Sequence, residues 1–309
     1  MRRKYMLTAI LGAAALGVAA CGNTAGTQTT TAQSTQQETV AESAQQETQE
    51  ETSVQSTETS GADDTAGESD VSKALEEGRA SLGRSNDVKF AFSLNDEEKQ
   101  VPESGTAQMT MKYQKIQIDE PGYETLQAAV DESDKEAKAI DEQAFSDSAS
   151  MLDQDSRVQD GTITYAIEDT VQMKRADEKV FSYTRTDYSD LGGAHPFTQY
   201  LGYNFNSATG TKLGLEDVVV DYDKLYDYVF ETLQAYNSDA QLGGFLVDGY
   251  EDYVKDMFYT SKNIQWFMED DGLTVYFNAY DIAAYAAGPI AIKIPYQGHE
   301  DLLAGEFWG

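Results

Sequence analysis

Residues 191–218 contain a β-hairpin pattern, which requires antiparallel strand pairing in this part of the chain. From Gln199 to Asn206, small or polar side chains alternate with leucine, tyrosine and phenylalanine, as in a strand with one buried face. Ser207 to Gly210 supplies a short loop, and its glycine can adopt a positive φ. Thr211 to Leu215 is then predicted to return as the second strand.

A turn-rich segment leads into this hairpin and contains Gly192, Gly193, His195 and Pro196. Glycine and proline are the strongest local markers of turns, so we interpret the segment as structural. His195 is better suited to fix the turn, by hydrogen bonding a backbone carbonyl, than to act as an acid or a base.

Helices and antiparallel strands alternate along the chain after residue 86. Apolar residues recur at spacings of three, four or seven from Pro121 to about Ala149, which predicts a helix with one buried face. Two further helices are predicted, one from Asp221 and one capped by Asp248. Strands are predicted at residues 88–94, 106–118, 161–175, 179–187, 264–270, 273–279 and 290–295, with an acidic loop at 95–105. This arrangement predicts an α+β fold.

Several stretches resemble a known family. The sequences GGAHP, GYNF and TGTKLGLEDV in residues 192–218, and DGLTVYFNAYDIAAYAAGPIAIKIP in residues 271–295, are similar to extracellular domains of the RsiV type. These form the C-terminal part of an anti-sigma factor that binds lysozyme, and they also occur in other bacterial surface proteins. Residues 118–134 resemble the companion domain that usually precedes them.

The resemblance implies two small α+β modules, at residues 86–190 and 191–309. It assigns the loop around Tyr280, Tyr285, Ala286 and Gly288 to the variable, ligand-facing end of the second module. Rigid aromatic surface with a polar tip is typical of binding interfaces, which favours the two tyrosines as contact residues. The family often has proline where this chain has Ala284.

The N-terminus has the features of a lipoprotein signal peptide. A basic segment, Arg2 to Lys4, precedes an apolar run at residues 6–20, and Val18 to Cys21 ends in a cysteine after small residues. The apolar run is shorter than the roughly 20 residues of a spanning helix. We therefore predict a signal peptide at residues 1–20 and a lipid-modified Cys21. This places the protein on the extracellular face of a bacterial cell membrane.

Residues 21–85 are rich in Thr, Gln, Ser and Glu and contain almost no aromatic or branched aliphatic residues. Such a composition cannot bury a core, so we predict a disordered acidic tether. A weak helix at residues 71–82 is compatible with this prediction. Cys21 is the only cysteine, so the chain has no disulfide of its own and its fold depends on a hydrophobic core.

The charge of the chain excludes one class of partner and favours another. From residue 85 onward there are 42 acidic and 16 basic residues, a net charge of −26. Nucleic acid is therefore excluded as a partner, and contact with anionic lipid is expected only through the lipid anchor. A basic extracellular protein such as lysozyme would be attracted.

Catalytic and metal-binding motifs are missing from the sequence. HExxH, GxSxG and phosphate-binding glycine loops do not occur, and the two histidines, His195 and His299, are over a hundred residues apart. Pairs of carboxylates do not follow the EF-hand spacing. We therefore predict a non-catalytic ligand-binding protein with no metal and no cofactor. The alternatives are a protein that binds cell-wall glycan as an accessory of peptidoglycan modification, and a structural envelope protein.

Overall fold

The computed structural model describes residues 66–238 and 244–308, which all belong to one compact unit, Gly61–Gly309. Within these ranges, no helix has both the length and the hydrophobicity that a membrane span requires. The predicted signal peptide at residues 1–20, the lipidation site Cys21 and the tether as far as residue 65 lie outside the described residues, so these remain predictions.

Helices and strands occur in mixed order, and the predicted α+β class is confirmed. The helices are α1 (Ala66–Leu82), α2 (Glu124–Ala149), α3 (Ser156–Gln159), α4 (Leu215–Val218), α5 (Tyr222–Ser238) and α6 (Tyr250–Lys255). The strands are β1 (Phe92–Val101), β2 (Met109–Ile118), β3 (Tyr165–Ala176), β4 (Val180–Asp190), β5 (Phe197–Asn206), β6 (Gln265–Met268), β7 (Gly272–Phe277) and β8 (Ile290–Pro295). A π-helical turn, Asp256–Thr260, continues α6.

The first five strands form one sheet in the order β1-β2-β3-β4-β5. All neighbours are antiparallel except β2 and β3, which are parallel. Parallel neighbours cannot be joined by a hairpin, and α2 lies in the connection between them. Leu126 and Val130 on α2 are fully buried in a core that includes Ile116 from β2. The apolar spacing that predicted this helix therefore corresponds to its sheet-facing side.

The prediction for β1 was wrong in its position. Residues 95–105 were expected to form an acidic loop, but Asn95 to Val101 continues the strand and pairs with β2. Six consecutive residues of β1, from Leu94 to Lys99, are exposed, since β1 is the edge strand of the sheet. The strand therefore lacks the alternation of buried and exposed side chains by which a strand is recognised in a sequence.

The C-terminal part of the predicted tether, residues 66–82, forms helix α1, which corrects the expected disorder there. Ala74, Gly78 and Leu82 are spaced four apart and are buried, so they form one face of the helix. A Cβ at Gly78 would lie 2.3 Å from the carbonyl oxygen of Ala291 on β8. The glycine therefore lets α1 approach the sheet backbone closely.

A buried lysine binds the C-terminal end of α1. The Nζ of Lys174 on β3 donates to the carbonyl oxygens of Ser81, Leu82 and Arg84 at 2.7, 3.0 and 2.6 Å. The last carbonyls of a helix lack partners within the helix, and a cation there also interacts favourably with the helix dipole. Burial lowers the pKa of Lys174 to about 7, and Glu269 opposes this shift.

The predicted boundary between modules at residues 190 and 191 falls between β4 and β5. These two strands pair over ten residues in one sheet, so the sheet includes strands from both sides of that boundary.

The returning strand predicted at residues 211–215 is absent from the described structure. Lys212 forms only an isolated bridge with Phe205, and the chain then enters α4. Gly214 precedes that helix, and Asp217 accepts a hydrogen bond from its N–H at 2.8 Å.

The remaining strands form a second antiparallel sheet in the order β6-β7-β8, which packs with α5 and α6 around the larger hydrophobic core. Phe258 and Phe277 are fully buried there. Complete burial of one such side chain stabilises the fold by about 1.5–3 kcal/mol. The strands β6 and β7, predicted at residues 264–270 and 273–279, are antiparallel neighbours.

The two sheets meet where β4 and β5 contact β6. Asn204 donates its side-chain amide to the carbonyl oxygen of Trp266 at 3.0 Å, and Met268 N–H donates to Ser182 Oγ at 3.0 Å. A Cβ at Gly202 would lie 2.1 Å from the same Trp266 oxygen. Close backbone approach at Gly202 therefore joins the sheets, and polar side chains satisfy the buried backbone groups at the junction.

Candidate functional site

The structure brings together residues that are 85 or more positions apart in the chain. His195 lies between β4 and β5, whereas Tyr280 and Tyr285 lie in the connection between β7 and β8. The imidazole ring stacks on Tyr285 with ring centroids 3.8 Å apart and planes 19° apart. Its Nε2 is 3.0 Å from the Tyr280 hydroxyl. We call these three side chains the His195 cluster.

The carbonyl oxygen of Pro196 fixes two members of the cluster. It lies 2.8 Å from His195 Nδ1 and accepts a hydrogen bond from the Tyr285 hydroxyl at 3.1 Å. A carbonyl oxygen can only accept, so Nδ1 carries a proton. In the neutral ring Nε2 is then an acceptor, and the Tyr280 hydroxyl donates to it. His195 therefore orients both tyrosines, in addition to its predicted role of fixing the turn.

The backbone around Tyr280 is held in an uncommon conformation. Tyr280 has φ of 74°, which lies in the left-handed region that non-glycine residues rarely adopt. The turn is closed by Asn278 N–H, which donates to the Asp281 carboxylate at 2.7 Å. The Asn278 side chain in turn bonds both the N–H and the carbonyl oxygen of Tyr200 on β5, at 2.8 and 3.1 Å. The tyrosine is therefore positioned by contacts on two sheets.

The loop continues through the other predicted contact residues. Tyr285 and Ala286 begin a short 3-10 turn, and both are exposed. Gly288 ends the turn with φ of 67°, a conformation that favours glycine. A Cβ there would meet no atom within 4 Å, so the backbone angle rather than space explains this glycine.

The cluster is part of a larger exposed surface of apolar and aromatic side chains. Tyr280 is 56% exposed and Tyr285 is 36% exposed. The segment from Phe245 to Val247 runs beside this loop, because Ala284 N–H donates to the Phe245 carbonyl at 2.9 Å. Phe245 and Val247 are also exposed. Neither residue was predicted from the sequence as a contact residue. Their only sequence signal is a short apolar run after paired glycines.

The two glycines of the turn-rich segment differ in their surroundings. Gly192 has φ of 73°, and its carbonyl oxygen accepts a hydrogen bond from Arg157 at 2.8 Å. A Cβ there would lie 2.8 Å from Arg157 and 2.9 Å from Tyr165. At Gly193 the nearest atom would be 3.7 Å away. The backbone conformation and the close neighbours therefore both call for glycine at the first position only.

The two histidines of the chain have different surroundings. Among the described residues, no three or more His, Cys, Asp or Glu side chains converge in a way that could hold a metal ion. His299 contacts other residues than His195 does. Its Nδ1 lies 2.9 Å from the Pro295 carbonyl oxygen, and its ring packs edge-on against Tyr228. The His195 cluster has stacked rings and hydroxyl groups that can contact a ligand.

A buried charge network is a second feature that the sequence did not reveal. Arg185 on β4 is fully buried and contacts the carboxylates of Asp134 and Asp169, both at 2.5 Å. Burial raises the pKa of Asp169 to about 7, and the Arg185 guanidinium limits that rise. The guanidinium carbon also lies 4.5 Å from the ring centre of Tyr113. These contacts tie α2 to β3 and β4, so we assign the network to the stability of the first sheet.

Part of the chain matches a known protein family. Residues 218–297 match the family described as "Protein of unknown function (DUF3298)". The matched segment is about a quarter of the chain. It contains α5, α6 and the second sheet, together with Tyr280 and Tyr285. His195 lies outside the matched range, so the His195 cluster includes residues from the matched segment and from the connection between β4 and β5.

Two crystal structures of DUF3298 proteins are similar to the chain. One, from Bacteroides fragilis, has 19% sequence identity and a TM-score of 0.48, and the alignment covers 70% of this chain and 93% of that one. The other, from Pseudomonas aeruginosa, has 16% identity and a TM-score of 0.47, and covers 71% and 97%. No curated protein matches the chain.

Proposed function

We propose that the protein is a non-catalytic ligand-binding lipoprotein of the bacterial cell surface. In this proposal the His195 cluster contacts a basic extracellular protein, of which lysozyme is the example. The observation that carries the proposal is the exposed, hydrogen-bonded aromatic cluster formed by His195, Tyr280 and Tyr285. The resemblance of residues 192–218 and 271–295 to RsiV-type extracellular domains supports lysozyme as the first ligand to test.

The geometry of the cluster suits an interface. Tyrosine and tryptophan are enriched among the residues that contribute most binding energy, because they offer large rigid surfaces with a polar tip. Here the tyrosine rings are already ordered by His195 and by the Pro196 carbonyl oxygen, so little side-chain freedom remains to be lost on binding. The neighbouring Phe245 and Val247 would extend the contact area.

Charge would contribute to the rate of encounter with a basic partner. The net charge of −26 from residue 85 onward attracts a basic protein over about a Debye length, roughly 8 Å at physiological ionic strength. Such steering raises association rates at low salt by roughly 10- to 10³-fold. Contacts in the His195 cluster act mainly on dissociation, because they form only in the docked complex.

The ligand is tested by measuring lysozyme binding to the purified full chain by surface plasmon resonance at several salt concentrations. We expect Tyr285→Ala to raise the dissociation rate, with a loss of about 1–3 kcal/mol in binding free energy, and to leave the salt dependence of association unchanged. Tyr285→Phe is the matched control, because it retains the ring that stacks on His195 and removes only the hydroxyl. Thermal unfolding of each variant separates lost contact from lost folding.

Wild-type protein that shows no lysozyme binding at micromolar concentrations would exclude lysozyme as the ligand. A parallel pull-down with purified peptidoglycan then tests the glycan-binding alternative. Retention on peptidoglycan that is lost in Tyr285→Ala would assign the same surface to glycan.

The anchor is tested separately, because it rests on the sequence of residues 18–21. Cells grown with a fatty-acid analogue should incorporate the label into the wild type and not into Cys21→Ala. Equal labelling of the two proteins would contradict the lipoprotein assignment and leave the ligand assignment intact.

A further inference from the structure

A second group of aromatic rings lies on α5 and on the π-helical turn that follows α6. Tyr222 and Tyr226 are one helical turn apart on α5, and Tyr259 packs against both with ring centroids 5.9 and 5.2 Å away. Both contacts are edge-to-face. Phe258 is fully buried beneath them, with centroids 5.7 and 5.4 Å from the two α5 tyrosines. The array formed by the rings of Tyr222, Tyr226 and Tyr259 therefore has a rigid apolar base.

Hydrogen bonds fix two of these rings in place. The Tyr222 hydroxyl donates to the carbonyl oxygen of Phe258 at 3.0 Å, and the Tyr259 hydroxyl donates to Asp223 at 2.7 Å. The π-helical turn, Asp256–Thr260, carries the adjacent residues Phe258 and Tyr259, of which the first is buried and the second is 39% exposed. Single π-helical turns are rare and occur often at functional sites.

The two segments that carry these rings contain many more acidic than basic residues. Residues 216–231 and 248–262 contain ten acidic and three basic residues. Two of the three bases are already paired, Lys224 with an aspartate near the C-terminus and Lys262 with a glutamate on α4. Asp227, Glu251 and Asp252 have no lysine or arginine within 4.0 Å among residues 70–238 and 244–308.

These carboxylates lie close enough to the array to act on it. Burial raises the pKa of Tyr226, and Asp227, Asp252 and Glu251 raise it further. The faces of the tyrosine rings and the carboxylates both contribute negative potential, and each attracts a cation. A second copy of this chain carries the same net charge of −32, so self-association through this surface is opposed.

We infer that the surface formed by Tyr222, Tyr226, Tyr259 and Asp227 binds guanidinium groups, as presented by arginine side chains of a partner protein. We call it the tyrosine–carboxylate surface. A planar guanidinium stacks on an aromatic face while its N–H groups donate to carboxylates. A quaternary ammonium has no N–H donor and would leave the carboxylates without a hydrogen-bonding partner, and a lysine ammonium is more strongly hydrated.

The test is a titration of the full chain with acetyl-arginine amide, followed by NMR of the tyrosine ring resonances. We expect saturable shifts at Tyr226 and Tyr259. Tyr226→Leu should weaken binding by about two- to fivefold, the range for an exposed cation–π contact. Tyr226→Phe retains the ring and should bind as the wild type does. Tyr253→Leu, on an exposed tyrosine of α6 that has no ring contact among the described aromatic pairs, should also bind normally.

Asp227→Asn provides a second variant at an exposed position that leaves every ring in place. It should weaken acetyl-arginine amide binding and leave the melting temperature unchanged. Tetramethylammonium that binds as tightly as acetyl-arginine amide would overturn the guanidinium assignment, as would equal affinity of Tyr226→Leu and the wild type. Because small probes are used, the result does not depend on whether lysozyme binds the His195 cluster.

Discussion

Asp141 on α2 offers the sharpest test of how charge is buried in this fold. Its side chain is 4% exposed, and its Oδ2 has no hydrogen-bond partner among the described residues. Burial, together with the nearby Asp187 and Asp169, raises the pKa of Asp141 to about 8, and Arg185 opposes this rise. The folded protein therefore holds this carboxyl in its protonated form at neutral pH.

The sign of the pH effect follows from proton binding. A carboxyl with a higher pKa in the folded state than in the unfolded state binds more protons when folded. Its full contribution to stability is present below the unfolded pKa, near 3.9, and is lost as the pH rises toward 8. Between those values the loss is about 1.4 kcal/mol per pH unit, hence about 3 kcal/mol from pH 5 to pH 7.

Asp141→Asn replaces the protonated carboxyl by a neutral group of the same shape. Relative to the wild type, the variant should therefore gain about 3 kcal/mol of unfolding free energy between pH 5 and pH 7. Urea denaturation at pH 5, 6 and 7, followed by circular dichroism, measures this difference. Asp147→Asn is the matched control, because Asp147 is an exposed acid on the same helix. Its effect should stay within about 0.5 kcal/mol at each pH.

A constant difference between Asp141→Asn and the wild type across this pH range would refute the reasoning. It would mean that Asp141 titrates as an ordinary exposed carboxyl, and hence that water or an unrecognised partner reaches its Oδ2 atom.

Three further predictions test the fold. Arg185→Met leaves two buried carboxylates without their cation and should lower the unfolding free energy by about 3–5 kcal/mol in chemical denaturation. Gly202→Ala should cost about 1–3 kcal/mol, because its Cβ meets the Trp266 oxygen, whereas Gly193→Ala should be near neutral; equal effects would contradict the close approach. Lys174→Met should make limited proteolysis cleave α1 faster than in the wild type, since the C-terminal carbonyls of the helix lose their donor; equal cleavage of α1 in the two proteins would argue against this capping role.

Local pattern was sufficient where an element is buried and bounded by turn residues. β8 begins and ends at the predicted residues, Ile290 and Pro295, because a run that is apolar except for Lys293 follows a Gly-Pro pair and ends at a proline. Both faces of this strand are buried, so the run itself is the signal. The amphipathic spacing of α2 predicted its sheet-facing side, because there the buried face leaves its own period in the sequence.

The remaining features depend on contacts that no local pattern encodes. The strand β1 is exposed on both faces, so its charges were interpreted as a loop. The weak helix expected at residues 71–82 was assigned to a disordered tether, because the buried face of α1 consists mainly of small residues, including Ala74 and Gly78, which carry little hydrophobic signal. For the site, the resemblance indicated Tyr280 and Tyr285 as contact residues without connecting them to His195. Their hydrogen bonds and stacking with His195 arise only when two distant loops meet in the fold.

The acidic run on β1 has a consequence for aggregation. The carbonyl oxygens of Val101, at the end of the strand, and of Ala91, just before its start, accept hydrogen bonds from the β2 side. The residues of β1 that alternate with these therefore direct their backbone N–H and C=O groups away from the sheet. Such a row of free groups is a template onto which another strand can add. Asp96, Glu97 and Glu98 would bring like charges within about 5 Å of each other if two copies paired edge to edge through this run. Residues that carry no folding signal in the sequence thus oppose edge-to-edge pairing of this sheet with a second copy.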